Sequence, residues 1–400
     1  MAGPWNASEA VYLDHAATTP LRPEVEAAIA AASREAFANP SSQHSAGRRA
    51  RRILEESRER IVAALGGRGS GPGRDRLVFT SGATEANRFA LLGAAHGPSG
   101  AVATSARDHA SLRSSAVALA EQRGWSHTDL PLSADGSLDP AGLAAWLDHT
   151  ASCPTRLLGT TLICGQTGST ERWAIPQAPL ARLVRSALCF VHSDATQAVG
   201  IEPIVFPNLC VASMTLAPHK FGGPRGIGGL LIRGDIALAP IQPGPQETGL
   251  RGGTEPVALA AGFAEALDRA VAERALLARR LETLRDHFET SVVSVARSKG
   301  VAAAVLGRGG DRSPHVSTIA FPNRERQALV MAADLAGLCC STGTACASGS
   351  SEPSPALVAM GLPADLVRSA IRFSFGRTTT PGDVDRAVAI LAQILSVAMP

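Results

Sequence analysis

The chain has 400 residues, a formal charge of +3 and 18% charged positions, a size that suits one large α/β domain with an appendage or two unequal domains. With 45% hydrophobic residues it can bury a sizeable core, and a balance this near neutrality carries no polyanion-binding signature. Nucleic acid is not an expected partner.

The N-terminal arm MAGPWNASEAVYLD has no basic stretch followed by an apolar one, and no run reaches the ~18 apolar residues of a membrane span. The sequence therefore predicts a cytoplasmic protein without a membrane partner. Helices are predicted from Pro23 to Ala38 and from Arg48 to Leu65, the second with Ile53, Leu54, Ile61, Val62 and Leu65 on one face. After the Gly- and Arg-rich GGRGSGPGRDR, the short apolar runs LVF, AVAT, RLLGTTLIC, ALCFV, VASMTLA and GIGGLLI alternate with helical patterns. That rhythm predicts an α/β fold with a mostly parallel sheet. It changes near residue 258. A long helix is expected from Pro256 to about Val293, then shorter strands such as STIAF and IRFSF, and an amphipathic helix after Thr380 and Pro381. The expected division is a large domain over residues 15–258 and a smaller α+β domain from 1–14 plus 259–400.

Five segments carry chemistry. In LVFTSGATEAN a strand, a Ser-Gly turn and a helix start leave backbone N–H groups free for a phosphate, with Ser81 and Thr84 as added hydroxyls; a plain capped helix is the alternative. ALCFVHSDATQAVG ends a strand with His192, Ser193, Asp194 and Gln197 at the edge where α/β sheets hold ligands. Asp194 suits a pyridinium nitrogen or, equally, a helix cap. In VASMTLAPHKFGGPRGIGG, Lys220 follows a strand and precedes five glycines. The chain has only two lysines among 38 basic residues, and an amine, unlike a guanidinium, can deprotonate and condense with a carbonyl. The other, Lys299, has a ready reading as a helix-end charge before Gly300. The order G-x-x-x-x-G-K-[ST] is absent, so nucleotide binding is disfavoured. LCCSTGTACASGSSEPS puts Cys346 among small polar residues in an expected surface loop, while Cys339 and Cys340 are expected to be buried. Arg372, in SAIRFSFGR, suits a bidentate grip on a carboxylate or a surface ion pair. The seven cysteines lack Cys-x-x-Cys spacing, so neither a disulfide framework nor a metal site is expected; Cys153, Cys164, Cys189, Cys210 and Cys339 sit in or beside apolar runs where buried thiols are common.

In order and spacing, YLDHAATTPLRPEV, NPSSQHSAGRRA, FTSGATEAN, HSDATQAVG, HKFGGPRGIGGL, RGGTEPV, STGTACASGSSEPS and IRFSFGRTTT resemble the cysteine desulfurases of the class V aminotransferase group, in the branch with an SxGxAC-like loop. The resemblance spans nearly the whole chain. It implies a fold type I, aspartate aminotransferase-like transferase dependent on pyridoxal 5'-phosphate, with Lys220 joined to the cofactor as a Schiff base and His109 stacked on the ring. Asp194 would bind the ring nitrogen and Gln197 the phenolic oxygen. Ala83, Thr84 and His219 would take the phosphate, together with Thr254 from a second subunit, which implies a homodimer. Asn39 and Arg372 would bind L-cysteine. Lys220 would remove the Cα proton and Cys346 would take the sulfur as a persulfide, releasing alanine and passing the sulfur to an acceptor protein: an iron–sulfur scaffold, a tRNA thiolation enzyme or a DNA-modifying system.

Two departures stand out. Cys164, Gly165, Gln166, Thr167 and Gly168 replace the usual Asn-Asn-Glu-(Thr)-Gly run, and Ala217 replaces a hydroxyl residue three before the lysine. Each lost hydrogen bond is expected to cost about 1 to 2 kcal/mol of cofactor binding. Selenocysteine lyase or another β-elimination is the alternative activity, and a catalytically weak cofactor-binding scaffold is the alternative of another class.

Overall fold

The computed structural model describes residues 10–171, 181–182, 184, 189–343 and 352–396. Its centre is a seven-stranded sheet of β2 (Arg76–Thr80), β3 (Ala101–Ser105), β4 (Ser126–Leu130), β5 (Arg156–Thr161), β6 (Phe190–Asp194), β7 (Ser213–Leu216) and β8 (Gly228–Ile232) in the order β2-β8-β7-β6-β5-β3-β4. All neighbours are parallel except β8, which runs antiparallel to both β7 and β2. The expected mostly parallel α/β fold is what forms. The polar edge strand β4, SHTDL, has no apolar run to announce it.

Strand alternation sorts side chains to two cores. Leu77, Phe79 and Leu231 face a core completed by α1 (Pro23–Glu35) and α2 (Ser45–Ala64), whereas Val78, Leu230 and Ile232 face α3 (Ala83–Ala94) and α4 (Ala110–Arg123). Local signals start these helices: Pro23 opens α1 with Glu24 and Glu26 in its first turn, and the His44 ring accepts from Gly47 N at the start of α2. Asp139 caps α5 (Pro140–His149), and Gly124, left-handed at φ 66°, ends α4.

The change of rhythm near residue 258 marks the start of α6 (Val257–Ser298), a 42-residue helix shared between two cores. Val257, Ala260, Phe263, Leu267 and Ala270 pack beneath the large sheet with α1 and α2; Leu281, Leu284, Phe288, Val292 and Ala296 pack in a second core. The second core holds the sheet of β9 (Ala304–Val305), β10 (Val316–Ala320) and β12 (Ala370–Ser374), all antiparallel, with α7 (Arg326–Leu335) and α8 (Pro381–Ser396). In β1 (Val11–Tyr12) the N-terminal arm pairs in parallel with β11 (Leu338–Cys339), which brings residues 14–18 between the two cores. Lys299 caps the C-terminus of α6 and Gly300 follows at φ 68°.

Candidate active site

The carboxyl ends of the parallel strands supply the site, as expected for an open α/β sheet. Asp194 ends β6 and is 3% exposed. Its Oδ2 accepts from Asn87 Nδ2 at 2.8 Å and its Oδ1 from Thr196 N at 2.9 Å, so the carboxylate both caps the turn after β6 and answers to α3. Asn87 Oδ1 in turn contacts His192 Nε2 at 3.0 Å, and Ser213 Oγ holds His192 Nδ1 at 2.8 Å. Burial drives the His192 pKa down to about 4 against the opposing pull of Asp194. A neutral ring is what this buried chain of polar groups can accommodate.

Lys220 ends a short 3-10 turn, Pro218–Lys220, just beyond β7. Its Nζ donates to Ala16 O at 2.5 Å and to Ala17 O at 2.9 Å. Gln197 Nε2 donates to the same Ala16 carbonyl at 2.8 Å. His219 Nδ1 lies 3.2 Å from Thr18 Oγ1, and burial, reinforced by Lys220 and Arg225, lowers its pKa to about 4. Arg372, on β12, donates to Asp14 Oδ1 at 2.8 Å and to Gly165 O at 3.0 Å. Four expected site residues from three distant stretches thus converge on Asp14–Thr18.

His109 caps α4 by accepting from Ser111 N at 3.1 Å. Burial lowers its pKa, Asp194 opposes and Lys220 adds to the shift, which places all three within one electrostatic neighbourhood. The loop before it is locked by Asp108, whose carboxylate accepts from Ser105 N, Ser105 Oγ and Thr161 N. Burial pushes that carboxyl up to about 6 in spite of Arg107 and these donors.

At the start of α3, Gly82 offers no side-chain cap, so the first-turn amides at Ala83 and Thr84 have no side-chain partner among the described residues. Any Cβ at Gly228 would come 2.6 Å from Gly82 C, so glycine lets β8 pass directly under this turn. Thr254 is exposed on the Gly252–Gly253 turn, whose segment is tied to α3 by Arg251 and Glu85 at 2.9 Å. Asn39 is also exposed, its Oδ1 accepting from Ser41 N; no described contact joins it to the lysine. Cys346 lies outside the described residues. Of the cysteines expected in apolar surroundings, Cys164 is buried, while Cys153, Cys189, Cys210, Cys339 and Cys340 are half-buried. Arg372 is buried and the Asp14 carboxylate only half-buried, so their ion pair is partly shielded rather than a surface one.

The donor set fits pyridoxal phosphate. An amine for its aldehyde, a buried carboxylate for its ring nitrogen and an uncapped helix start for its phosphate all lie at one sheet edge, and the buried Thr196 Oγ1 and Arg372 Nε have no hydrogen-bond partner among the described residues. Gly165 presents no side chain here: a Cβ would lie 3.5 Å from Gln197 Nε2, in ordinary contact. Among the described residues no group of His, Cys, Asp and Glu could hold a metal ion, and no helix is long and apolar enough to cross a membrane.

The family model for class-V aminotransferases matches residues 11–387. The chain belongs to that family. It is 35% identical over 390 residues to the cysteine desulfurase IscS of Dictyoglomus turgidum, covering 96% of this chain and 94% of the relative, and 36% identical over 393 residues to an IscS-like cysteine desulfurase of Mycobacterium tuberculosis, covering 95% of each. Among solved structures it is similar to a NifS-like protein from Rickettsia africae, with TM-score 0.85 and 26% identity over 97% of this chain and all of the other. DndA from Streptomyces lividans superposes with TM-score 0.72 at 28% identity, over 90% of this chain and 97% of that one. The resemblance carried by the motifs and the expected fold agree with these relatives.

Asn87, Asp108, Asp14 and the Ala16 carbonyl had drawn no attention in the sequence. Asn87 had a usable signal, since it closes FTSGATEAN one turn into α3, where it meets Asp194 on the sheet. Asp14 and the Ala16 carbonyl act through tertiary contacts that no local pattern encodes, and Asp108 adds one such contact, to Thr161 N, to its local bonds with Ser105.

Proposed function

We propose that this chain is a cysteine desulfurase that takes sulfur from L-cysteine, releases L-alanine and leaves a persulfide on Cys346. The observation that carries the reading is the placement of Lys220 just beyond β7 and of Asp194 at the carboxyl end of its neighbour β6, in a chain whose relatives named as cysteine desulfurases match it over nearly its whole length.

Lys220 would hold the cofactor's aldehyde, Asp194 its ring nitrogen and His109 the face of its ring. Gln197 would take the phenolic oxygen. The α3 start at Ala83 and Thr84, with His219, would hold the phosphate. When bound, pyridoxal phosphate supplies an electron sink for negative charge on the substrate's α-carbon.

The chain's own residues do the rest. Arg372 and Asn39 bind the substrate, with the guanidinium gripping its carboxylate. Lys220 would serve as the base that takes the substrate's Cα proton; the Ala16 and Ala17 carbonyls hold its Nζ on this side of the site. The Cys346 thiolate attacks the substrate sulfur, the carbon–sulfur bond breaks, its electron pair remains on the carbon skeleton that becomes alanine, and the new sulfur–sulfur bond stays on Cys346. Exposure of Thr254 on its glycine turn suits a threonine that completes the phosphate site of a second copy in a homodimer. The acceptor of the persulfide is a second protein, and the compartment is the cytoplasm.

With L-cysteine and pyridoxal phosphate, the purified protein is expected to release alanine and to carry a persulfide. Cys346→Ser is expected to keep the cofactor and lose the persulfide, and sulfur release at the parent rate by that variant would exclude the assigned nucleophile. Borohydride trapping followed by peptide mapping is expected to find the cofactor on Lys220.

A further inference from the structure

His315 has no part in the chemistry above, yet it touches the residue assigned to the cofactor's phenolic oxygen. It lies just ahead of β10, 5% exposed, and its Nε2 is 3.2 Å from Gln197 Oε1. On the other side of the ring Nδ1 meets Ser313 Oγ in a short hydrogen bond. Ser313 is itself fixed, its N donating to Gly168 O at 2.7 Å and its O accepting from Arg285 at 2.9 Å.

Hydrogen-bond polarity decides how this chain must run. The Ala16 carbonyl can only accept, so the Gln197 atom facing it at 2.8 Å must be the amide nitrogen. Gln197 Oε1 then faces His315 and needs a donor, so Nε2 of that ring carries the proton. Burial, with His15, Arg372, Lys220 and Arg285 around it, drives the His315 pKa down to about 3, so the ring is neutral and Nδ1 is an acceptor for the Ser313 hydroxyl proton. Each bond in the series Ser313, His315, Gln197, Ala16 has one allowed direction. One N–H of the Gln197 amide is left without a partner among the described residues, and Gly165 offers no side chain beside it.

We propose that His315 is a positioning residue that sets which way round the Gln197 carboxamide sits, so that an N–H rather than a carbonyl oxygen is presented to the cofactor's phenolic oxygen. This rests on the reading of the site given above. A reversed amide would place its oxygen against the Ala16 carbonyl and against the oxygen anion of the ring, and His315 removes that alternative.

The test uses the full-length protein reconstituted with pyridoxal phosphate, and reads the pH midpoint of its visible absorption band together with cofactor Kd from equilibrium dialysis. A donor on the ring's oxygen anion lowers the proton affinity of the chromophore. His315→Leu is therefore expected to raise the midpoint by about half to one pH unit and to weaken Kd about 3- to 10-fold, and Gln197→Ala is expected to do the same. His315→Gln, whose amide nitrogen reaches the Nε2 position, is expected to restore both. Ser313→Ala, which frees the ring to change tautomer, is expected to shift the midpoint in the same direction and serves if the leucine variant fails to fold. The charged groups around the pair are unchanged in every variant. Parent values in His315→Leu beside shifted values in Gln197→Ala would overturn the proposal and leave the role of Gln197 standing. Parent values in both would overturn the two together. Equal shifts in His315→Leu and His315→Gln would reduce His315 to packing and overturn it as well.

Discussion

Arg372 and Asp14 form a partly buried ion pair at 2.8 Å that ties β12 to the N-terminal arm, across 358 positions of sequence. The same guanidinium donates to Gly165 O, and its Nε has no hydrogen-bond partner among the described residues, so it is oriented yet still has a donor to offer a ligand.

Asp14→Asn keeps the shape of the pair and removes its charge. The expected outcome is a rise in the KM for L-cysteine of about 3- to 10-fold with a smaller change in kcat, because the arginine loses orientation while the reacting groups stay in place. Arg372→Lys, a point charge without the planar fork, is expected to raise KM further, by about 10- to 100-fold. Steady-state alanine production checks both, and an unchanged KM in Arg372→Lys would remove the arginine from substrate binding.

Stability is expected to fall as the solution is acidified from about pH 6.5 to about 4. Burial holds the pKa of His15 and His192 near 4 and that of His315 near 3, all below the ordinary value of 6.5. Above 6.5 neither the folded nor the unfolded chain protonates these rings. Below it the unfolded chain takes up protons that the folded one refuses, so unfolding becomes easier, by up to about 1.4 kcal/mol per pH unit for each ring, until the folded pKa is reached. Urea midpoints at pH 7 and pH 5 measure the loss. His192→Gln, which cannot titrate, is expected to flatten the dependence, and an unaltered slope would show that this ring is not part of it.

Gly165→Asn should be tolerated by the fold, since Gly165 is free of left-handed backbone and its Cβ would meet only ordinary contacts. It supplies a side-chain donor where family members usually carry one. Pyridoxal phosphate is expected to bind about 5- to 30-fold more tightly, equivalent to the 1 to 2 kcal/mol of one hydrogen bond. Equilibrium dialysis against the parent measures this, and no gain in affinity would mean that the departure at 165 costs the site nothing.

Where a residue's role depends on its neighbours in the chain, the sequence was readable. Lys220 after an apolar strand, Asp194 at the end of another, the Ser-Gly turn into α3 and the helix opened by Pro381 all announce themselves within about ten residues, and each lies on the element its pattern implied. Strand β4 escaped because an edge strand with polar side chains on both faces has no alternation to detect. Half-burial of Cys339 and Cys340 escaped because β11 is two residues long and its apolar run is only half covered.

By itself the sequence determined the family, the alternation of most strands with helices and the change of rhythm near residue 258, because apolar periodicity, turn residues and motif spacing are local properties of the chain. Only the tertiary structure decided that Asp14–Thr18 would be the segment on which Lys220, Gln197, His219 and Arg372 meet, and that Asn87 and His315 would stand behind Asp194 and Gln197. The physical reason is that a buried polar group must find its hydrogen-bond partner wherever the fold brings one within 3 Å or so, and that proximity is set by the packing of the two cores rather than by distance along the chain.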